Sequence, residues 1–166
     1  AHQMSTLFTI LDGTKNKQML KVMRPYQVYA TKAVLNELKR ADFDLPINKL
    51  GYVWHTTGSG KTITSFKTAW LASRMPNVDK VVFVVDRIAL TKQTEANYKA
   101  YDPEGSIDID GKQFDTVGGT ENTSALKKKL NEKGYGIIVT SVQKLNTLIN
   151  RKDFVVPNKN FVFIVD

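Results

Sequence analysis

The run His55-Thr56-Thr57-Gly58-Ser59-Gly60-Lys61-Thr62 carries residue types at a spacing that suits binding of a nucleoside triphosphate. Gly58 and Gly60 reach backbone angles that side-chain-bearing residues resist, so successive N–H groups of Thr57 through Gly60 can turn toward one anion. Lys61 adds a point charge for the β- and γ-phosphates. Thr62 offers a hydroxyl to Mg²⁺ where the following helix begins and its dipole favours negative charge. One position departs from the general pattern, which has Gly where this chain has His55.

Two further stretches would complete such a site. Arg24-Pro25-Tyr26-Gln27 places Pro at a first helical position, and the Gln27 amide can both donate and accept, as the N6 and N7 edge of adenine requires. Arg24 and Gln27 are therefore candidate nucleotide contacts. Phe161-Val162-Phe163-Ile164-Val165-Asp166 is an apolar run ending in an acid, the form of a Walker B strand whose Asp holds Mg²⁺ through its water shell. Lys61 and Asp166 are thus the candidate catalytic residues, and Thr62 and Asp166 the candidate metal ligands.

These groups need elements to hold them. The apolar positions Tyr26, Tyr29, Ala30, Ala33, Val34 and Leu38 fit one face of a helix from Pro25 to about Ala41. Leu50-Gly51-Tyr52-Val53-Trp54 fits a buried strand ending at the loop, and residues 63–74 fit the helix leaving it, with Trp54 and Trp70 both expected in the core. Val81-Val82-Phe83-Val84-Val85 is a continuous run suited to a parallel strand covered on both faces. Asp86 and Arg87 follow at its carboxyl end, where ligands of open α/β sheets collect. A helix over 88–100 and a small hairpin over 107–114 come next. Thr116 to Thr120 is a short strand with Gly118 and Gly119, which permit close approach of a phosphate backbone. A helix over Ser124–Lys133 leads to the strand Gly136–Thr140 and to Ser141 at the mouth of another helix, a junction that suits phosphate ligands. Asp108 and Asp110 lack the remaining ligands of a calcium loop and read as solvent-facing.

With 166 residues, 42% of them hydrophobic, the chain suffices for one packed core. A net charge of +8 and a pI near 9.6 favour an acidic partner, nucleic acid being the commonest large one. The absence of Cys removes disulfides and thiolate metal sites. No apolar run is long enough to span a bilayer, so no membrane partner and a cytoplasmic location are expected.

Taken together, Arg-Pro-Tyr-Gln, Trp-His-Thr-Thr-Gly-Ser-Gly-Lys-Thr, Val-Val-Asp-Arg, Thr-Ser-Val-Gln-Lys-Leu and the terminal apolar-Asp run resemble the motor (R) subunit of type I restriction enzymes, within the superfamily 2 helicases and translocases. The resemblance implies an α/β fold: a RecA-like P-loop NTPase domain with a mainly parallel sheet and helices on both faces. It implies residues 1–23 as a lead-in and 24–166 as the first motor domain, cut at the Walker B strand. ATP and Mg²⁺ are the implied cofactors. Double-stranded DNA, specificity and modification subunits, and a second RecA-like domain of the same parent chain are the implied partners. Gln27 becomes an adenine reader, while Asp86, Arg87, Gly118, Gly119, Thr140 and Ser141 are assigned to DNA contact or to coupling with the ATP site.

In such motors an acid after the Walker B Asp orients the attacking water, an arginine finger comes from the second domain, and a nuclease lies upstream. An arginine finger alone is worth about 10³ to 10⁵ in rate, so a piece limited to these residues is expected to bind ATP weakly and barely turn it over. Three other readings share parts of the pattern: another superfamily 2 motor such as a type III restriction subunit or an RNA helicase, a non-catalytic nucleic-acid-binding regulatory module, and a small-molecule kinase. The kinase is disfavoured because no lid segment is evident.

Overall fold

The computed structural model describes residues 7–13, 18–45 and 51–166. Its centre is a sheet of four parallel strands: β3 (Lys80–Val85), β6 (Val117–Gly119), β7 (Ile137–Ser141) and β8 (Phe161–Val165), in the spatial order β6-β7-β3-β8. Every residue of β3 and β7 is buried, as continuous β-branched runs between two helical layers require. Register pairs Val81 with Ile137 on one side and with Val162 on the other, which brings the carboxyl ends of all four strands to one edge.

Period-two alternation divides the core between the two faces. Val81, Phe83, Val85, Ile137 and Val139 point to one side, where α1 (Pro25–Arg40), α2 (Lys61–Ala72) and α3 (Ile88–Tyr101) bring Leu38, Phe66, Ala69 and Tyr98. Val82, Val84 and Ile138 point to the other, beneath Leu126 and Leu130 of α4 (Thr123–Asn131) and Leu148 of α5 (Val142–Ile149). The rings of Phe66 and Phe83 both lie 5.1 Å from that of Tyr98, in the edge-on and tilted arrangements aromatic clusters favour.

Two antiparallel hairpins flank this sheet. β1 (Thr9–Asp12) pairs with β2 (Met19–Val22), whose pairing the sequence did not announce, and Ile10 enters the main core. Phe8, Met23 and Val28 make a third buried cluster that joins this hairpin to α1. β4 (Ser106–Ile109) and β5 (Lys112–Asp115) form the expected hairpin, turning at Asp110 and Gly111 with φ of 55° and 74°.

Two expectations are corrected. The inner face of α1 is not Tyr26, Tyr29 and Ala33, which are exposed; it is Gln27, Val28, Thr31 and Leu38. The helix turns two polar residues inward because each meets a partner there, Gln27 the backbone of the phosphate loop and Thr31 the hydroxyl of Thr68 at 3.1 Å. Second, residues 51–54 form no strand, and Tyr52 and Trp54 are 89% and 86% exposed; Leu50 lies outside the described residues. Apolar character brings a segment into a sheet only when backbone partners are engaged, and among the described residues β8 hydrogen-bonds to β3 alone. Trp70 does pack on the core, with the Arg74 guanidinium 3.6 Å from its ring centre.

Candidate functional site

The loop from His55 to Thr62 is a tight turn opening into α2. The Ser59 N–H and hydroxyl both donate to the Thr56 carbonyl, at 3.3 and 2.7 Å. Gly58 and Gly60 take φ of 77° and 80°, the left-handed region that admits glycine without a steric penalty. The Gly60 carbonyl accepts from Ile63 N and Thr64 N, both at 3.1 Å, and so starts the helix. The first N–H groups of α2 have no intrahelical acceptor by geometry and face outward with the positive end of the dipole. Lys61 and Thr62 are exposed at that first turn, where an anion would approach.

Helix α1 holds the loop from behind. Gln27 is 4% exposed, and its amide nitrogen donates to the carbonyls of Ser59 (3.1 Å) and Gly60 (3.2 Å) while its oxygen accepts from Arg24 N (2.8 Å). Both amide hydrogens and one acceptor position are thereby engaged. Tyr26 adds a hydroxyl bond to the Ser59 carbonyl at 2.7 Å and meets His55 edge-on with ring centres 5.6 Å apart. The Arg24-Pro25-Tyr26-Gln27 signal thus locates a loop-bracing helix start, and Tyr26 is a contributor that sequence reasoning passed over. Beside the loop lies a cavity of about 300 Å³ lined in part by Arg24, Gln27, Gly58 and Gly60.

Asp166 follows β8, with its N–H donating to the Val84 carbonyl at 3.0 Å. Its carboxylate acts on the hydroxyl of Tyr98, which donates to Ser65 Oγ at 2.8 Å; Ser65 in turn donates to the Thr62 carbonyl at 3.1 Å. Val162 and Ile164 pack into the core on the α2 side of the sheet, so period-two alternation carries Asp166 to that side, toward the first turn of the helix that holds Thr62. Burial raises the Tyr98 pKa, so the phenol remains a neutral donor.

The remaining candidates gather at the carboxyl ends of the strands but differ in access. Asp86 and Arg87 are exposed and pair loosely at 3.8 Å. Gln143 ties them to α5 by donating to the Asp86 carbonyl at 2.8 Å. Thr140 and Ser141 are fully buried: Thr140 shares a hydrogen bond with Thr120 at 3.0 Å, and Ser141 caps α5 by accepting from Lys144 N. Gly118 and Gly119 are covered by side chains, Gly118 by Lys129 and Gly119 by the Glu95 carboxylate, each standing where a β-carbon would go. The Lys144 ammonium, expected from its place at the strand-to-helix junction to meet a phosphate, instead donates to the Thr120 carbonyl and closes this end of the sheet.

Comparison with known proteins is consistent with this geometry. The family described as type III restriction enzyme, res subunit, matches residues 20–166. The chain is 38% identical over 147 residues to the type I restriction enzyme SsaAORF53P endonuclease subunit of Staphylococcus saprophyticus, covering 89% of this chain and 14% of that protein. It is 41% identical over 157 residues to a Mycoplasma pneumoniae chain assigned as the C-terminal part of the type I restriction enzyme MpnIIP endonuclease subunit, covering 89% of this chain and 71% of that one. Among solved structures, a nuclease-deletion mutant of the Type ISP restriction-modification enzyme LlaGI in complex with a DNA substrate mimic is matched with a TM-score of 0.43 and 25% identity, over 87% of this chain and 13% of that chain. The matched span runs from within β2 through the bracing helix and phosphate loop to the acid after β8, and on that span the chain belongs to the type III restriction enzyme res subunit family, with the α/β RecA-like fold that its motifs foretold.

Proposed function

We propose that this chain is the ATP-binding half of a DNA-translocating motor, the first RecA-like domain of a type I restriction enzyme's motor subunit, with residues 24–166 as the motor and 1–23 as its lead-in. The loop geometry carries the reading: two left-handed glycines, an outward-facing helix start, and exposed Lys61 and Thr62. The type I restriction names of the relatives favour this motor over an RNA helicase or a sensor module.

Thr57, Gly58 and Gly60 would wrap the phosphates with backbone N–H groups, Ser59 would join them by exchanging the Thr56 carbonyl for a phosphate oxygen, and Lys61 would set its charge against them. The Thr62 hydroxyl and the Asp166 carboxylate are hard oxygen donors on the same side of the sheet, a set that fits Mg²⁺. When bound, the ion neutralises charge on the β- and γ-phosphate oxygens. For DNA, the exposed Arg87 with Asp86 offers direct contact. Buried Thr140 and Ser141, and the covered Gly118 and Gly119, would act through Gln143, Lys144, Lys129 and Glu95. A second RecA-like domain, specificity and modification subunits, and a cytoplasmic setting complete the proposal.

The test is triplex displacement on linear duplex DNA by the complete enzyme carrying Lys61→Ala. Loss of displacement with DNA loading retained supports the motor; displacement at the wild-type rate rejects it in favour of a regulatory module.

A further inference from the structure

We propose that the β1–β2 hairpin forms the outer wall of the base pocket, with Val22 as the apolar surface against which the nucleobase lies. This deepens the nucleotide reading above and rests on it. Lys21 and Val22 share the lining of the 300 Å³ cavity with Gly58, Gly60 and Ile63. That volume stands at the small end of small-molecule sites, enough for a nucleobase next to a triphosphate. Gln27 also borders it, yet its amide is engaged by Ser59, Gly60 and Arg24. Contact with the flat faces of a base then falls to the Arg24 guanidinium plane on one hand and, on the other, to the apolar groups lining the cavity, Val22 and the partly buried Ile63. Val22 is 66% exposed, so a ring laid on it would remove apolar surface from water.

The wall is held in place. Val22 pairs with Thr9 in the hairpin register, and the next residue, Met23, donates to the Phe8 carbonyl at 2.9 Å. Phe8 and Met23 are buried against Val28, one position beyond Gln27 on α1. Lys21 is ion-paired with buried Asp12, and Lys67 of the loop's own helix donates to the Thr9 carbonyl at 3.1 Å. Hairpin, bracing helix and loop helix thus move as one support. Leu20 on the same strand is equally uncovered but does not border the cavity, which makes it the internal control.

The experiment is calorimetric titration of the complete protein with Mg-ATP and with Mg-tripolyphosphate, which lacks a base. Val22→Ser is expected to weaken ATP by roughly three- to tenfold and to leave tripolyphosphate unchanged, while Leu20→Ser changes neither. Wild-type ATP affinity in Val22→Ser overturns the wall, and so does equal weakening of both probes. Lys61→Ala in the same titration separates the two claims. Wild-type protein that binds neither ATP nor tripolyphosphate overturns the nucleotide reading itself, whereas wild-type binding that Lys61→Ala weakens for both probes, together with an unaffected Val22→Ser, overturns the wall alone.

Discussion

The side-chain amide of Gln27 lies 3.2 Å from the carbonyl oxygen of Gly60, and a β-carbon on Gly60 would stand 2.7 Å from the same nitrogen. Gly60 is thus constrained twice, by its left-handed φ of 80° and by the helix behind it.

Gly60→Ala must displace Gln27 or twist the loop. A left-handed non-glycine residue alone costs about 1–2 kcal/mol. ATP affinity of the complete protein is expected to fall roughly tenfold or more by titration. Gln27→Ala removes the donor from two loop carbonyls and is expected to cost a similar amount. Unchanged affinity in both variants would contradict the bracing role.

Thr31 and Thr68 share a hydrogen bond inside the α1–α2 contact, and both are buried. Thr31→Val or Thr68→Val strands the other hydroxyl and is expected to cost about 1–3 kcal/mol in urea unfolding. The double variant should recover most of the loss, because no hydroxyl then lacks its partner. Additive losses would show that the pair does not interact.

These two inward polar residues also explain what the sequence could and could not reveal. β3 and β7 were legible because unbroken β-branched runs have one comfortable setting, between helices. The start of α1 was legible from Pro25. Its buried face was not, since the partners of Gln27 and Thr31 lie more than thirty residues downstream and periodicity counts only apolar side chains. The loop could be read from its glycines and lysine, but its bracing by Tyr26 depends on a crossing that no local pattern encodes. Trp54 misled for the complementary reason: its size argued for burial, while its position depends on strand pairing. Thr140 and Ser141 were legible as strand-end hydroxyls, yet their full burial follows from Thr120 and α5 closing over them.

Burial, with the ammonium of Lys159 near it, lowers the Lys80 pKa to about 8; Glu132 and Asp79 oppose this and Lys129 adds to it. Burial likewise lowers Lys67 to about 8, with Arg74 contributing. Above that pH the unfolded chain still holds protons that the folded chain has released, so stability rises with pH from about 8 toward the ordinary lysine value near ~10.5. Lys21, raised by its bond to Asp12, and Tyr98, raised by burial, act in the opposite sense at and above the top of that window. The urea midpoint is expected to be higher at pH 9.5 than at pH 8, and Lys80→Met should flatten the rise to the part due to Lys67 and to Lys159, which burial also lowers. A midpoint that falls steadily across this interval would refute the assignment.

Phe163 and Val165 are exposed on β8, which ends the sheet order among the described residues. Unblocked apolar edges recruit other strands. Val165→Lys is expected to reduce self-association of this chain in light scattering at high concentration. Scattering that stays the same as wild type would show that the edge is already protected.

The most direct measurement is ATP hydrolysis by the complete protein, with and without linear duplex DNA, in wild type and Lys61→Ala. Hydrolysis is expected to be stimulated by DNA and to fall by at least about a hundredfold in Lys61→Ala, through loss of a charge that acts on the phosphates undergoing transfer. Hydrolysis of comparable rate in the variant, or a wild-type rate indifferent to DNA, would contradict the motor reading.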